Sequence, residues 1–253
     1  MKALLLVAAL LMIGKCAQSE KDSPRTYIIY GQSNSVSPSQ TSYGKPGDRM
    51  APASENLTIN DYYFEHSDPL PGQTLRGLVM IKPTQTSPVK GGIVWMYLAD
   101  ICGCDMTVYS LGVGNASSDR LLKPDYLDEL LLRVFKSPHA DYLLYVQGES
   151  DSNEHFSTED TYRNIEQMVR LTERINPSLK WVLAVNGYRS ENTRAAHEML
   201  IQNKVVLRGP DVDILRTNAN FIEPTGAEFA GEGLKEHARL WYEALQKLQR
   251  KKL

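Results

Sequence analysis

The sequence predicts an α/β fold: a parallel β-sheet with helices on both faces. Three observations lead there. Short apolar runs alternate with longer helical patterns along the chain, the order of βαβ units. The runs have strand length and little polar alternation, which marks strands covered on both faces. The segments after three of the four runs are polar, glycine-containing clusters, and in such a sheet ligands sit outside the carboxyl ends of the strands.

In chain order, Thr26–Tyr30, Thr107–Leu111, Tyr142–Val146 and Trp181–Val185 read as the buried strands. Between them Ile93–Ile101, Pro124–Phe135, Thr158–Ile175 and Glu191–Asn203 carry helix features. Ser157 followed by Asp160 resembles a capping box, and Ile165, Met168, Val169 and Ile175 then share one face. Parallel neighbours require right-handed crossovers, which these helices supply.

Composition narrows the function. A chain of 253 residues, 42% apolar and 23% charged, has enough material for one well-buried core, which excludes disordered and disulfide-scaffold classes. With a net charge of −2 and scattered Lys and Arg, no electrostatic footprint for nucleic acid exists. No internal repeat or long linker divides the chain, so residues 20–253 read as a single domain.

Residues 1–19 read as a secretory signal peptide. Lys2 precedes twelve apolar or small residues, Ala3 to Gly14, a run too short to span a bilayer as a helix. Ala17 and Ser19 offer small residues for cleavage after Ser19, and no membrane span is expected in the mature chain. A lipoprotein cut before Cys16 is the alternative, and Lys15 disfavours it. The protein is thus expected to be secreted or periplasmic. Cys102 and Cys104 are read first as two small buried residues near a strand start, since a one-residue gap strains a disulfide, with oxidation of the pair in an exported protein as the alternative.

The post-strand clusters are Gly31-Gln32-Ser33-Asn34-Ser35, Gly112-Val113-Gly114-Asn115, Gln147-Gly148-Glu149-Ser150-Asp151 and Asn186-Gly187. Ser33 directly follows a strand, which suits a hydroxyl presented at the mouth of a tight turn. Its own N–H and that of Gly114 could face a developing oxyanion, with Gln147 or Asn34 as side-chain donors. The pattern is not Gly-x-Ser-x-Gly, so it is no ordinary nucleophile elbow.

Tyr30-Gly31-Gln32-Ser33-Asn34-Ser35 and Val146-Gln147-Gly148-Glu149-Ser150-Asp151 resemble the first and third signature blocks of SGNH hydrolases, within the sialate O-acetylesterase and carbohydrate esterase family 6 branch. Asp68-Pro69-Leu70-Pro71-Gly72, Gly209-Pro210-Asp211 with Asp213, and Gly231-Glu232-Gly233-Leu234 match in order. The resemblance implies a three-layer α/β/α sandwich with a central parallel sheet, the flavodoxin-like SGNH hydrolase fold. It also implies removal of acetyl or similar acyl groups from carbohydrate, without metal or other cofactor. Ser33 would be the nucleophile, and Gly114 and Gln147 would complete the oxyanion hole. Gln32, Asn34, Asn115 and Glu149 would line the substrate site, Glu149 and Asp151 also holding the loop.

The chain departs from that pattern where Asp-x-x-His should precede the last helix. The Asp falls on Thr225 and the His on Glu228. A serine hydroxyl needs a base, and an exposed Glu, with a pKa of about 4.3, is a weak one at neutral pH. Glu228 can serve only if it is desolvated beside Ser33. Of the five histidines, His237 falls in the apolar stripe of the terminal helix and reads as packed, and His155 follows the third block at the site's mouth. His66, His139 and His197 carry no catalytic argument, and no two have metal-ligand spacing. Asn56-Leu57-Thr58 and Asn115-Ala116-Ser117 are formal glycosylation sequons.

Two readings stay open. One is an exported carbohydrate O-acyl esterase working through Ser33, with slow turnover. The other is a pseudo-esterase that binds carbohydrate or acts as a surface interaction domain.

Overall fold

The computed structural model describes residues 25–36, 57–63, 79–81, 93–113, 115–123, 140–223 and 226–250. Residues 1–19, Cys16, His66, Asp68 to Gly72, the Pro124–Phe135 segment and His139 lie outside them. So do Gly114 and Thr225.

Among the described residues seven strands form one sheet: β1 (Arg25–Gly31), β2 (Leu57–Tyr63), β3 (Val79–Ile81), β4 (Met106–Gly112), β5 (Tyr142–Val146), β6 (Trp181–Val185) and β7 (Leu207–Asp211). Their order is β3-β2-β4-β1-β5-β6-β7. The centre of the sheet is parallel, as the sequence predicts, and β3 alone among these strands pairs antiparallel, with β2. The four strands read from the sequence are β1, β4, β5 and β6, the centre of the sheet. The flanking strands β2, β3 and β7 are additions.

The side chains of the central strands alternate between two cores. Ile28, Tyr30, Leu143, Tyr145, Trp181 and Leu183 pack against Ile165, Met168 and Val169 of the Thr158–Ile175 helix and Leu200 of the Glu191–Gln202 helix. Tyr27, Ile29, Leu144, Val146, Val182 and Ala184 pack on the opposite face against the Ile93–Cys102 and Glu232–Arg250 helices. Both faces are therefore buried, giving the α/β/α sandwich, and a strand interior such as Tyr142–Val146 has no solvent side to make polar. Trp95 and Trp241, both without exposed surface, meet at 5.8 Å between ring centroids and join the two helices of that second face. Truncating either to Ala would cost about 3–5 kcal/mol.

Ser157 caps the Thr158–Ile175 helix as its sequence suggests, accepting from the Asp160 N–H at 3.0 Å. Cys102 and Cys104 correct their first reading: the chain turns through Gly103, their Cα atoms come within 5.2 Å, and they form a disulfide. Among the described residues no helix is long and apolar enough to cross a membrane.

Candidate active site

The first turn of the site is built by backbone. β1 and β5 pair through Gly31 and Val146, so a Cβ on Gly31 would lie 2.0 Å from the Val146 carbonyl oxygen, and Gly31 has φ +131°. Only glycine fits there. The chain then turns into the short Ser33–Val36 helix, and the Ile93–Cys102 helix fixes it, Trp95 Nε1 donating to the Ser35 carbonyl at 2.9 Å. Ser33 is left half-buried at the carboxyl edge of the sheet. Among the described residues nothing accepts a hydrogen bond from its backbone N–H.

Glu228 arrives from the other end of the chain. Ile222 and Phe229 form an antiparallel bridge, and the Glu223 N–H donates to the Glu228 carbonyl at 2.9 Å, closing a narrow loop. Asn34 clamps that loop on both sides of Glu228: its Nδ2 donates to the Ala227 carbonyl at 3.0 Å and its Oδ1 accepts from the Phe229 N–H at 3.3 Å. The residue next to Ser33 thereby sets the position of Glu228. The Ser33 hydroxyl donates directly to Glu228 Oε1.

The environment changes what Glu228 can do. Burial pushes its carboxyl up to about 7; the charge of Glu149, and more weakly Glu223, adds to this, while the Ser33 hydrogen bond and Arg216 oppose it. A carboxylate of ordinary pKa holds a proton too weakly to take one from serine at neutral pH. This one is tuned into the working range.

Several residues assigned to substrate contact have another job. Gln32, Asn34 and Glu149 are 1%, 2% and 3% exposed, and they bond to one another instead of facing a ligand. Glu149 accepts from Gln32 Nε2, from Asn34 Nδ2 at 2.6 Å and from Arg216, so it ties the first and third turns to the loop carrying Glu228. Gln147 is corrected likewise. Its Nε2 donates to the Ala116 carbonyl at 3.0 Å and to Asp151 Oδ1 at 3.2 Å, which consumes the donors an oxyanion would need. Asp151 also accepts from the Ser118 N–H at 2.6 Å, anchoring the second turn to the third. Asn115, exposed with φ +57°, stands beside this anchor at the surface.

None of the described histidines hydrogen-bonds the Ser33 hydroxyl, which donates to Glu228. His237 is fully buried, its Nε2 accepts from Trp241 Nε1 at 3.1 Å, and burial lowers its pKa to about 3. His197 is buried and lowered to about 3 for the same reason, its Nδ1 accepting from the Asn186 N–H. His155 is exposed. Among the described residues no group of three or more His, Cys, Asp or Glu could hold a metal ion.

The residue that sequence reasoning missed is Arg216. Nothing in Asp213-Ile214-Leu215-Arg216-Thr217 marks it locally, because its partners come from the third turn and the Glu228 loop.

Fold and site together define an α/β/α sandwich with a serine–carboxylate pair at the carboxyl edge of its sheet. The solved structures it resembles agree in fold. One is a protein from Arabidopsis thaliana, with a TM-score of 0.61 at 14% identity, covering 88% of this chain and 98% of that one. Another is TesA, with a TM-score of 0.54 at 10% identity, covering 88% and 99%. A third, from Parabacteroides merdae, is described as a GDSL-like lipase and has a TM-score of 0.51 at 14% identity, covering 87% and 94%. No protein-family model and no curated protein matches the sequence.

Proposed function

We propose that this protein is an exported ester hydrolase that removes acyl groups, acetyl foremost, from carbohydrate, with Ser33 as nucleophile and Glu228 as its base. One observation carries the reading: the Ser33 hydroxyl donates to a carboxylate whose surroundings raise it to about 7. The Gly-Gln-Ser-Asn and Gln-Gly-Glu-Ser-Asp blocks support the carbohydrate O-acyl substrate, and the apolar run of residues 1–19 supports export.

In this mechanism Glu228 takes the Ser33 proton as Oγ attacks the acyl carbonyl carbon. The Ser33 N–H, which has no acceptor among the described residues, is proposed as one donor to the oxyanion so formed, with the Gly114 N–H assigned as the second. Protonated Glu228 passes the proton to the departing sugar oxygen, leaving acyl-Ser33. Water then attacks the acyl carbon as Glu228 again takes a proton, and Glu228 hands that proton to Ser33 Oγ as the acyl–oxygen bond breaks, so the carboxylic acid leaves with the Ser33 hydroxyl and the Glu228 carboxylate restored. A base of pKa near 7 suits both directions of transfer, because it neither holds nor refuses the proton too strongly at neutral pH.

The binding-only reading draws on a specific observation: Gln147 spends its donors internally, so the oxyanion site has fewer groups than the sequence suggested. The two readings separate on acetate release from O-acetylated sugars and on hydrolysis of an aryl acetate, native protein beside Ser33→Ala. Serine-dependent release is the expected result. Equal rates for native and variant would leave the protein a carbohydrate-binding pseudo-esterase.

A further inference from the structure

We propose that Arg216 is a positioning residue that holds Glu228 against Ser33, bridging the loop of the base to the turn of the nucleophile. The inference rests on the reading of Ser33 and Glu228 as a reacting pair.

Arg216 projects from the 3-10 turn Asp213–Thr217, and its side chain is 11% exposed. One guanidinium nitrogen, Nη1, donates to the carbonyls of Gly226 at 2.6 Å and Ala227 at 3.0 Å, the two residues before Glu228. The other, Nη2, pairs with Glu149 Oε1, the carboxylate that also accepts from Gln32 and Asn34 on either side of Ser33. The guanidinium plane is gripped by aromatic rings: its Cζ lies 4.7 Å from the centre of Phe229, the residue after Glu228, and 4.8 Å from that of Tyr188. Glu228 is therefore flanked on both sides by contacts of one side chain, and that side chain ends on the network beneath Ser33.

Charge gives the bridge a second effect. The groups acting on Glu228 are the Ser33 hydroxyl, Glu149 of the Glu149–Asn153 helix, Glu223 on its own loop and Arg216, with Asp213 3.9 Å from Arg216 Nε. Arg216 is the one cation in that set. Without it Glu149 loses its ionic partner and Glu228 faces two carboxylates uncompensated. A lysine would keep a charge but not the planar fork that reaches two carbonyls and a carboxylate at once, nor the stacking between rings.

A residue that merely stabilises the fold would shift the melting temperature and leave the chemistry of the remaining folded protein untouched. The test therefore reads the base directly. The titration of Glu228 is followed by carboxyl NMR on glutamate-labelled protein, the signal assigned with Glu228→Gln. Native protein is compared with Arg216→Met and Arg216→Lys, alongside kcat and KM for an aryl acetate. In folded Arg216→Met the midpoint is expected to move up by about one pH unit. Its kcat should fall at least about tenfold, with KM held within about twofold. In Arg216→Lys kcat should fall similarly, with a smaller midpoint shift, and this variant decides the matter if the Met variant does not fold. Native midpoint and kcat in the folded variant would overturn the proposal. Absence of hydrolysis in the native protein would instead defeat the esterase reading, and the titration would still decide the role of Arg216.

Discussion

Ser33 and Glu228, 195 positions apart, meet in a direct hydrogen bond, the hydroxyl donating to the carboxylate. Asn34 enforces the meeting, because it holds the backbone on both sides of Glu228. Glu228→Gln preserves size and removes the ability to accept the serine proton. It is expected to lower kcat for an aryl acetate about 10²–10⁴-fold with KM little changed, the usual contribution of a positioned base. Steady-state kinetics on the purified variant check this.

With Glu228 as the proposed base of Ser33, active in its ionised form, the rate should climb as pH rises through about 7 and level off above it. The profile follows from the sign of the shift: burial favours the protonated carboxyl, so at mildly acidic pH the base is already occupied. A rate profile from pH 5 to 9 on native protein checks the midpoint. A base at the ordinary carboxylate pKa would give a flat profile over that range.

Asp151 should make its own pH signature in stability. Burial pushes its carboxyl up to about 6, and among the described residues its Oδ2 has no hydrogen-bond partner. The folded state binds the proton more tightly than the unfolded chain, so this contribution to stability is full below the unfolded pKa and is lost as pH rises through about 6. Asp151→Asn, neutral and of the same shape, is expected to stabilise the protein at pH 8 by about 1–3 kcal/mol. At pH 3 it should change little. Urea unfolding at the two pH values measures the difference.

Gly31→Ala should be severe. The new methyl would meet the Val146 carbonyl oxygen at 2.0 Å, on a backbone with φ +131°. Separating the strands there disrupts β1 against β5 and displaces Ser33. A loss of at least about 3 kcal/mol is expected from thermal or urea unfolding, beyond the strain of φ alone.

The central strands were legible because burial on two faces leaves only apolar residues: Tyr142–Val146 and Trp181–Val185 are buried throughout. β7, Leu-Arg-Gly-Pro-Asp, was not legible, since it lies at the sheet edge and carries glycine and proline that local pattern assigns to a turn. The serine turn and the third turn were readable from their position after strands. Which of their polar groups face a ligand was not, because Gln32, Asn34, Glu149 and Gln147 find partners far along the chain. Arg216 is the clearest such case: its meaning is entirely tertiary. The pairing of Cys102 with Cys104 likewise depends on the turn between them, not on spacing alone.

The proposed esterase chemistry requires Glu228 to make the Ser33 oxygen reactive. The most direct measurement is the rate at which a fluorophosphonate modifies Ser33, located by peptide mass, as a function of pH in native protein and in Glu228→Gln. Modification at Ser33 that accelerates through about pH 7, and is lost in the Gln variant, is the expected result. An unreactive Ser33, or equal labelling of both proteins at every pH, would contradict it.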